Sequence, residues 1–197
     1  GFIGLGRKRF LQLLHERARE LGVELHFEQE VELEDINNRF ADADLIVASD
    51  GLNSKIRNTY REEFGCTIET RPNKFVWLGT NQTFRDAFTF IFERTEHGWI
   101  WAHAYQFDDS TSTFIVETTP DVYDALGFDA MSHEESSETC RKIFEKYLDG
   151  HSLMTNSAHI RGSAWINSPA VYCDNWIKDD RIVLIGDAAH TAHFSIG

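Results

Sequence analysis

Two short clusters carry residue types suited to holding a phosphorylated, hydroxyl-rich ligand. The first is Asp50, Gly51, Ser54 and Arg57 in the run Asp50-Gly-Leu-Asn-Ser-Lys-Ile-Arg57; the second is Gly186, Asp187, Ala188 and His190 in Gly186-Asp-Ala-Ala-His190. A carboxylate accepts hydrogen bonds from ligand hydroxyls, and a guanidinium complements phosphate. Each cluster follows an apolar run, Leu45-Ile-Val-Ala48 and Ile182-Val-Leu-Ile185, that reads as a strand feeding a turn and a helix. In an open α/β sheet, ligands bind where strands end, and a helix start offers unpaired N–H groups to phosphates and hydroxyls. Two such edges imply one nucleotide-like cofactor. Taken singly, either cluster fits an ordinary strand, tight turn and capped helix equally well.

The elements that must position these clusters can be read along the chain. Between Arg7 and Leu21, Phe10, Leu13, Leu14, Ala18 and Leu21 recur at helical spacing, and Gly22 follows as a natural stop. Val23, Leu25 and Phe27 alternate with polar residues as a half-buried strand does, and the acidic stretch Glu28 to Asp35 reads as a solvated edge or loop. A short helix is expected from Ser54 to Tyr60. From Lys74 to Thr118 the character turns aromatic and β-branched. Runs around Phe75–Leu78, Ala87–Phe92, Trp99–Tyr105 and Thr113–Glu117, joined by polar turns such as Glu96-His-Gly98, predict four strands of an antiparallel sheet. Thr119-Pro120 opens a helix, and Ser132-His-Glu-Glu135 is a capping box for another running to Gly150, with Ile143, Phe144, Tyr147 and Leu148 inward. Arg161 to Ile166 returns as a strand before the run that starts at Arg181.

Composition agrees with a globular protein: 42% of residues are apolar and 26% charged, enough for a sizeable core. A net charge of −13 argues against nucleic acid or an anionic membrane as the main partner, since either calls for a basic face. No apolar run approaches the roughly 20 residues of a membrane span. Cys66, Cys140 and Cys173 are an odd set without C-x-x-C spacing, so neither a disulfide framework nor a zinc site is expected, and a reducing cytoplasm is the expected home.

Candidates for catalysis come from two places. Period-two alternation puts Trp99, Trp101, His103 and Tyr105 on one face of their strand, with Ile100, Ala102 and Ala104 on the other. His103 is the candidate catalytic group on that polar-aromatic face; a face simply covered by helices is the competing reading. His190 and His193 stand three apart, but no third ligand lies nearby, so no metal site is assigned. Arg7, Lys8 and Arg9 place positive charge at a helix start, where an anion would offset the dipole.

The patterns D-G-x-x-S-x-x-R at Asp50–Arg57 and G-D-A-A-H at Gly186–His190, in this order and each behind a strand, resemble the second and third signatures of the flavoprotein monooxygenases related to para-hydroxybenzoate hydroxylase. The resemblance implies a fold in which a partial Rossmann-like FAD-binding layer of α/β type carries an inserted antiparallel sheet. Its boundaries would be 1–70 and 169–197 for the FAD-binding part and 71–168 for the substrate part. It also implies that Gly51, Gly186, Asp187, Ala188 and Gly197 hold FAD, with Asp187 on a flavin-side hydroxyl and Ser54 in the same motif. Asp50 and Arg57 would border the pyrophosphate and the path of NAD(P)H, and Arg7 would lie beside FAD. The antiparallel sheet would wall the substrate pocket. The opening G-x-G-x-x-G turn of such a fold is not among Gly1, Gly4 and Gly6, so the chain reads as an internal excerpt of a larger enzyme. Phe194 stands where the pattern has proline, and His193 before it is placed against substrate or flavin.

Finer similarity in Phe75-Val-Trp-Leu-Gly-Thr80, Ala102-His-Ala-Tyr-Gln-Phe107, Ser112-Thr-Phe-Ile-Val-Glu117 and Arg161-Gly-Ser-Ala-Trp-Ile-Asn167 points to the aryl-CoA branch, represented by salicylyl-CoA 5-hydroxylase and 2-aminobenzoyl-CoA monooxygenase, and more distantly to the hydroxylase of violacein synthesis. The implied chemistry is aromatic hydroxylation with NAD(P)H and O₂, on a small aromatic substrate such as salicylyl-CoA. Rival readings are a hydroxylase of a free indole or tryptophan-derived substrate, a non-catalytic flavin-binding module, and a dehydrogenase using NAD alone.

Overall fold

The computed structural model describes residues 4–85, 87–155 and 164–195. Helix α1 spans Arg7–Glu20, and Gly22 at φ +76° makes the left-handed turn that ends it. Its apolar stripe is not buried: Phe10, Leu13 and Leu14 are exposed. The strand expected from Val23 to Phe27 does not form. Alternation sorts side chains onto two faces, but a strand also needs a neighbour to complete its ladder, and no described strand pairs with this segment. The acidic stretch instead leads into a helix, α2 (Leu33–Asn37), through a capping box between Glu32 and Asp35.

Strand β1 (Ile46–Ala48) is followed by α3 (Lys55–Thr59), then by four long strands: β2 (Cys66–Thr80), β3 (Thr89–Thr95), β4 (Gly98–Gln106) and β5 (Ser112–Thr118). Helices α4 (Pro120–Ala125) and α5 (His133–Ile143) start at the expected proline and capping box, where Ser132 Oγ accepts Glu135 N–H at 3.2 Å. Helix α5 stops earlier than expected, and Glu145–Tyr147 continues as a single 3-10 turn that still buries Phe144 and Leu148. The remaining strands are β6 (Leu153–Met154), β7 (Ile166–Cys173), β8 (Ile177–Lys178) and β9 (Ile182–Leu184). The strand expected at Arg161–Ile166 has its first residues outside the described ones; β7 begins at Ile166.

Contacts divide the chain into two compact units, residues 1–25 with 72–167 and residues 26–71 with 168–197, so that β2 and β7 each run from one into the other. In the first unit the described strands run in the order β3-β4-β5-β2-β6, with neighbours antiparallel and β7 also on β2. One face of this sheet, with Val76, Leu78, Ile100, Ala102, Phe114 and Val116, packs on Phe128, Cys140, Phe144 and Leu148 to form the larger core. In the second unit β1 lies parallel to β9, and β8 pairs antiparallel with β9 on the other side. Ile36, Ala48, Phe64, Ile182 and Leu184 make its core.

The cysteine expectation is corrected. Cys66 and Cys173, 107 residues apart, are joined in a disulfide with Cα atoms 4.1 Å apart, and Cys140 is the free, buried thiol. Pairing of β2 with β7 brings together residues whose spacing in sequence gives no hint of it, and the argument from cysteines to a reducing compartment loses its basis. Among the described residues no helix is long and apolar enough to cross a membrane, and no cluster of His, Cys, Asp or Glu could hold a metal.

Candidate cofactor site and aromatic sheet face

The two sequence clusters leave the parallel sheet side by side. Register pairs Ile46 with Ile182 and Ala48 with Leu184, and Ile185 N–H donates to Ala48 O at 3.1 Å, so both turns emerge at the same carboxyl edge. Gly51 (φ +76°) and Gly186 (φ +59°) take left-handed backbone that other residues resist. A Cβ at either position would meet nothing within 4 Å, so the glycines serve the turn geometry and the space beside them is open. Asp50 and Asp187 are exposed there.

The helix starts differ from expectation. Asp50 Oδ2 accepts Lys55 N–H at 2.9 Å and Ser54 Oγ accepts Arg57 N–H at 3.0 Å, so side chains already satisfy two of the N–H groups in α3's first turn. After β9 the chain makes only a single 3-10 turn, Gly186–Ala188. Both glycine turns carry a carboxylate beside them, Asp50 and Asp187.

Arg57 lies between the two clusters. The side chain is 1% exposed, and its guanidinium faces inward. Nη1 donates to Asp187 O and Ala188 O, each at 3.3 Å, Nη2 to Leu52 O at 2.6 Å, and Nε to Asn58 Oδ1 at 3.2 Å. A planar fork reaches several carbonyls at once where a point charge could not. Arg57 therefore clamps the second cluster to the first, and burial holds its pKa below the ordinary value. Ser54 and Ala188 are likewise buried and serve the turns. Of the residues named from sequence, Asp50, Gly51, Gly186 and Asp187 remain at the open edge. Arg7 belongs to the other compact unit, and Gly197 lies outside the described residues.

Asp50 and Asn53 also line a cleft of about 660 Å³ in the same unit, walled by Val31, Leu33, Phe40 and Val47. Lys55 on its rim is ion-paired with Glu30 and with Glu32 (2.9 Å), and the hydrogen bond from Lys55 holds the Glu30 carboxyl below its usual range. Beyond the second cluster, Thr191 ties the chain to β7, its Oγ accepting Val171 N–H at 2.8 Å. His190 packs edge-on to Tyr172 with centroids 5.2 Å apart, and His193 Nδ1 lies 2.7 Å from Ser195 Oγ.

In the other unit, the sheet face opposite the core carries the expected row of aromatics. Register aligns Phe90, His103, Ile115 and Trp77 across β3, β4, β5 and β2, and next to them Phe92, Trp101, Glu117 and Phe75. Phe90, Phe92, Trp77 and Trp99 are about half exposed, whereas His103 is buried, edge-on to Phe90 at 4.8 Å. Sequence reasoning missed Glu117, buried at the centre of this face. The signal available was a lone acid closing the apolar run Phe114-Ile-Val116.

A family model described as FAD binding domain matches residues 3–197. Across the whole chain the sequence is 40% identical to salicyloyl-CoA 5-hydroxylase of a Streptomyces species, of which it spans 38%. Over 98% of the chain it is 34% identical to protodeoxyviolaceinate monooxygenase of Chromobacterium violaceum, of which it spans 50%. The chain thus covers half or less of these relatives. Among solved structures, a flavin-dependent halogenase matches with a TM-score of 0.62 at 18% identity, over 98% of this chain and 37% of that one. A 2-methyl-3-hydroxypyridine-5-carboxylic acid oxygenase matches with a TM-score of 0.61 at 18% identity, over 94% and 51%. At such identities these structures show a shared fold.

Proposed function

The chain belongs to the FAD-binding domain family, and from that premise we propose that it is part of an FAD-dependent monooxygenase that hydroxylates an aromatic ring with NAD(P)H and O₂, on an aryl-CoA thioester such as salicylyl-CoA. The observation that carries this reading is the 40% identity to salicyloyl-CoA 5-hydroxylase along the whole chain. The edge formed by β1 and β9 fits the cofactor chemically. Asp187 and Asp50 offer carboxylates to its hydroxyls, and the open turns at Gly51 and Gly186 let backbone approach it. Arg57 keeps the two turns in fixed relation from beneath. When bound, FAD would supply the redox chemistry by which electrons from NAD(P)H let one oxygen atom of O₂ enter the ring and the other leave as water.

The protein's own work is binding, orientation and exclusion of water. The face with Trp101, His103 and Tyr105 is the proposed wall for the ring substrate. Its apolar rows favour a flat arene, and His103, held among Phe88 and Phe90, is the candidate group for holding a proton near a ring hydroxyl. The likeness to protodeoxyviolaceinate monooxygenase supports a second reading, a free indole-type substrate.

The test is NADH oxidation, O₂ uptake and product formation by the FAD-loaded full-length enzyme with salicylyl-CoA, 2-aminobenzoyl-CoA, their free acids and tryptophan. Hydroxylated product from a thioester alone supports the aryl-CoA reading. Product only from free acids or indoles overturns the aryl-CoA reading and keeps the monooxygenase, tryptophan alone favouring the second reading, and FAD that stays unreactive with every arene leaves a flavin-binding module.

A further inference from the structure

Glu117 places a carboxylate inside an otherwise apolar and aromatic sheet face, and its surroundings show what it is for. It is 4% exposed on β5, between β4 and β2. From the β4 side, Trp101 Nε1 donates to Oε2 at 3.0 Å; from the β2 side, Asn73 Nδ2 donates to Oε1 at 2.9 Å. The backbone beneath Asn73 is fixed in turn, because Asn167 Nδ2 donates to Pro72 O at 2.9 Å and to Asn73 O at 3.1 Å. The carboxylate is thus the meeting point of side chains from two neighbouring strands.

Stability alone does not account for such a group. Burying a carboxylate costs desolvation that its hydrogen bonds only offset, and an apolar side chain of similar volume would often do as well or better. Orientation does account for it. An indole on a flat sheet face can turn about its last side-chain torsion, which is broad and weakly restricted. A hydrogen bond from its N–H to a fixed carboxylate selects one ring plane. Trp101 is only partly buried, so that plane sets the shape of the wall next to His103.

We propose that Glu117 is a positioning residue for the ring substrate, fixing the indole plane of Trp101 on the aromatic face. This rests on the reading of that face as the substrate wall. Glu117 acts through Trp101 and does not itself touch the ring.

The experiment is a double-mutant cycle on the FAD-loaded full-length enzyme, run with whichever arene the wild type hydroxylates. Failure of the aryl-CoA reading then shows in the wild type's substrate choice, and failure of this inference in the cycle. Glu117→Leu is expected to raise KM for the arene by about tenfold with kcat within about twofold. Glu117→Gln keeps an acceptor oxygen for the indole N–H and should stay within about threefold of wild type. In a Trp101→Phe background, Glu117→Leu should add less than about twofold, since the partner it acts through is gone. Effects that multiply independently, or Glu117→Gln as damaging as Glu117→Leu, overturn the proposal. Ultraviolet resonance Raman, taken as the difference from Trp101→Phe, reads the indole hydrogen bond without turnover. It should weaken in Glu117→Leu and persist in Glu117→Gln, and an unchanged signal in Glu117→Leu overturns the proposal as well.

Discussion

Among the described residues each compact unit buries one side chain that is fully charged at neutral pH, Arg57 and Glu117, and the two are held in different ways. In the unit built on β1, β9 and β8, Arg57 directs its guanidinium mainly at backbone carbonyls of Leu52, Asp187 and Ala188. In the unit built on the antiparallel sheet, Glu117 receives side-chain donors, Trp101 and Asn73. Carbonyls belong to the main chain, so a cation that binds them fixes the path of the polypeptide and hence the two glycine turns. Side-chain donors can be exchanged without moving the backbone, so an anion that binds them sets the shape of a surface. The contrast separates a region where a buried charge holds the backbone from a region where a buried charge holds side chains.

The largest effect that would break or sharpen this contrast is expected at Arg57. Arg57→Met leaves buried carbonyls without their donors and should lower stability by about 4 kcal/mol, above the roughly 1.5–3 kcal/mol of one charge-assisted hydrogen bond. Urea unfolding would show it as a lower midpoint at constant slope. Arg57→Lys should recover little, because an ammonium cannot span the same acceptors. A loss below about 1 kcal/mol for Arg57→Met would mean that water replaces the guanidinium and that it is no clamp.

Next comes the Cys66–Cys173 bond. It closes a loop of sequence separation 107 that contains the strands β3, β4 and β5. Cys66→Ser with Cys173→Ser should cost about 3 kcal/mol through the unfolded chain's regained freedom. Denatured, unreduced protein should titrate a single thiol, Cys140, which burial pushes well above the usual thiol range in the native state. Three titratable thiols would show that the pair is not bonded.

A smaller effect separates the two regions by function. Asp187→Asn should weaken FAD binding by about tenfold, or roughly 1.4 kcal/mol, while Glu117→Leu leaves FAD affinity unchanged. Flavin fluorescence titration measures both, and an equal loss of FAD affinity in the two variants would erase the distinction drawn between them.

The smallest expected effect is acid sensitivity at Glu93 on β3. Its carboxyl is held below the ordinary 4.5 first by the hydrogen bond from Lys146, 2.7 Å away, and then by Tyr147. A carboxyl with a lower pKa in the folded than in the unfolded chain contributes stability that is present above about pH 4.5 and is lost as pH falls through the depressed value. Glu93→Gln should therefore flatten the stability profile in that acid window and leave neutral pH nearly unchanged. An unaltered acid slope would show that the pair contributes nothing.

Much of the fold was legible because its signals are local. The capping box at Ser132, the proline at 120 and the left-handed glycine at 22 each act within one turn of chain. Alternation from Trp99 to Tyr105 told which residues share a face, since strand geometry enforces it residue by residue. The same alternation at Val23–Phe27 misled, because pairing with a neighbour is not a local property. The edge formed by β1 and β9 was legible in part: both clusters follow their strands as expected, but burial of Arg57, Ser54 and Ala188 was not foreseen, since a motif names residue types without saying which way each one faces.

By itself the sequence determined the strand-turn units that carry the two clusters, the aromatic periodicity of the antiparallel strands and the starts of helices α4 and α5, all set by backbone sterics and short-range hydrogen bonding. Only the tertiary structure decided that Arg57 meets the carbonyls of Asp187 and Ala188, that Cys66 meets Cys173, and that Glu117 gathers Trp101 and Asn73. Those partners are 131, 107 and 44 residues apart at their widest. What joins them is strand register and the requirement that every buried polar group find a partner, and both exist only once the sheets have formed.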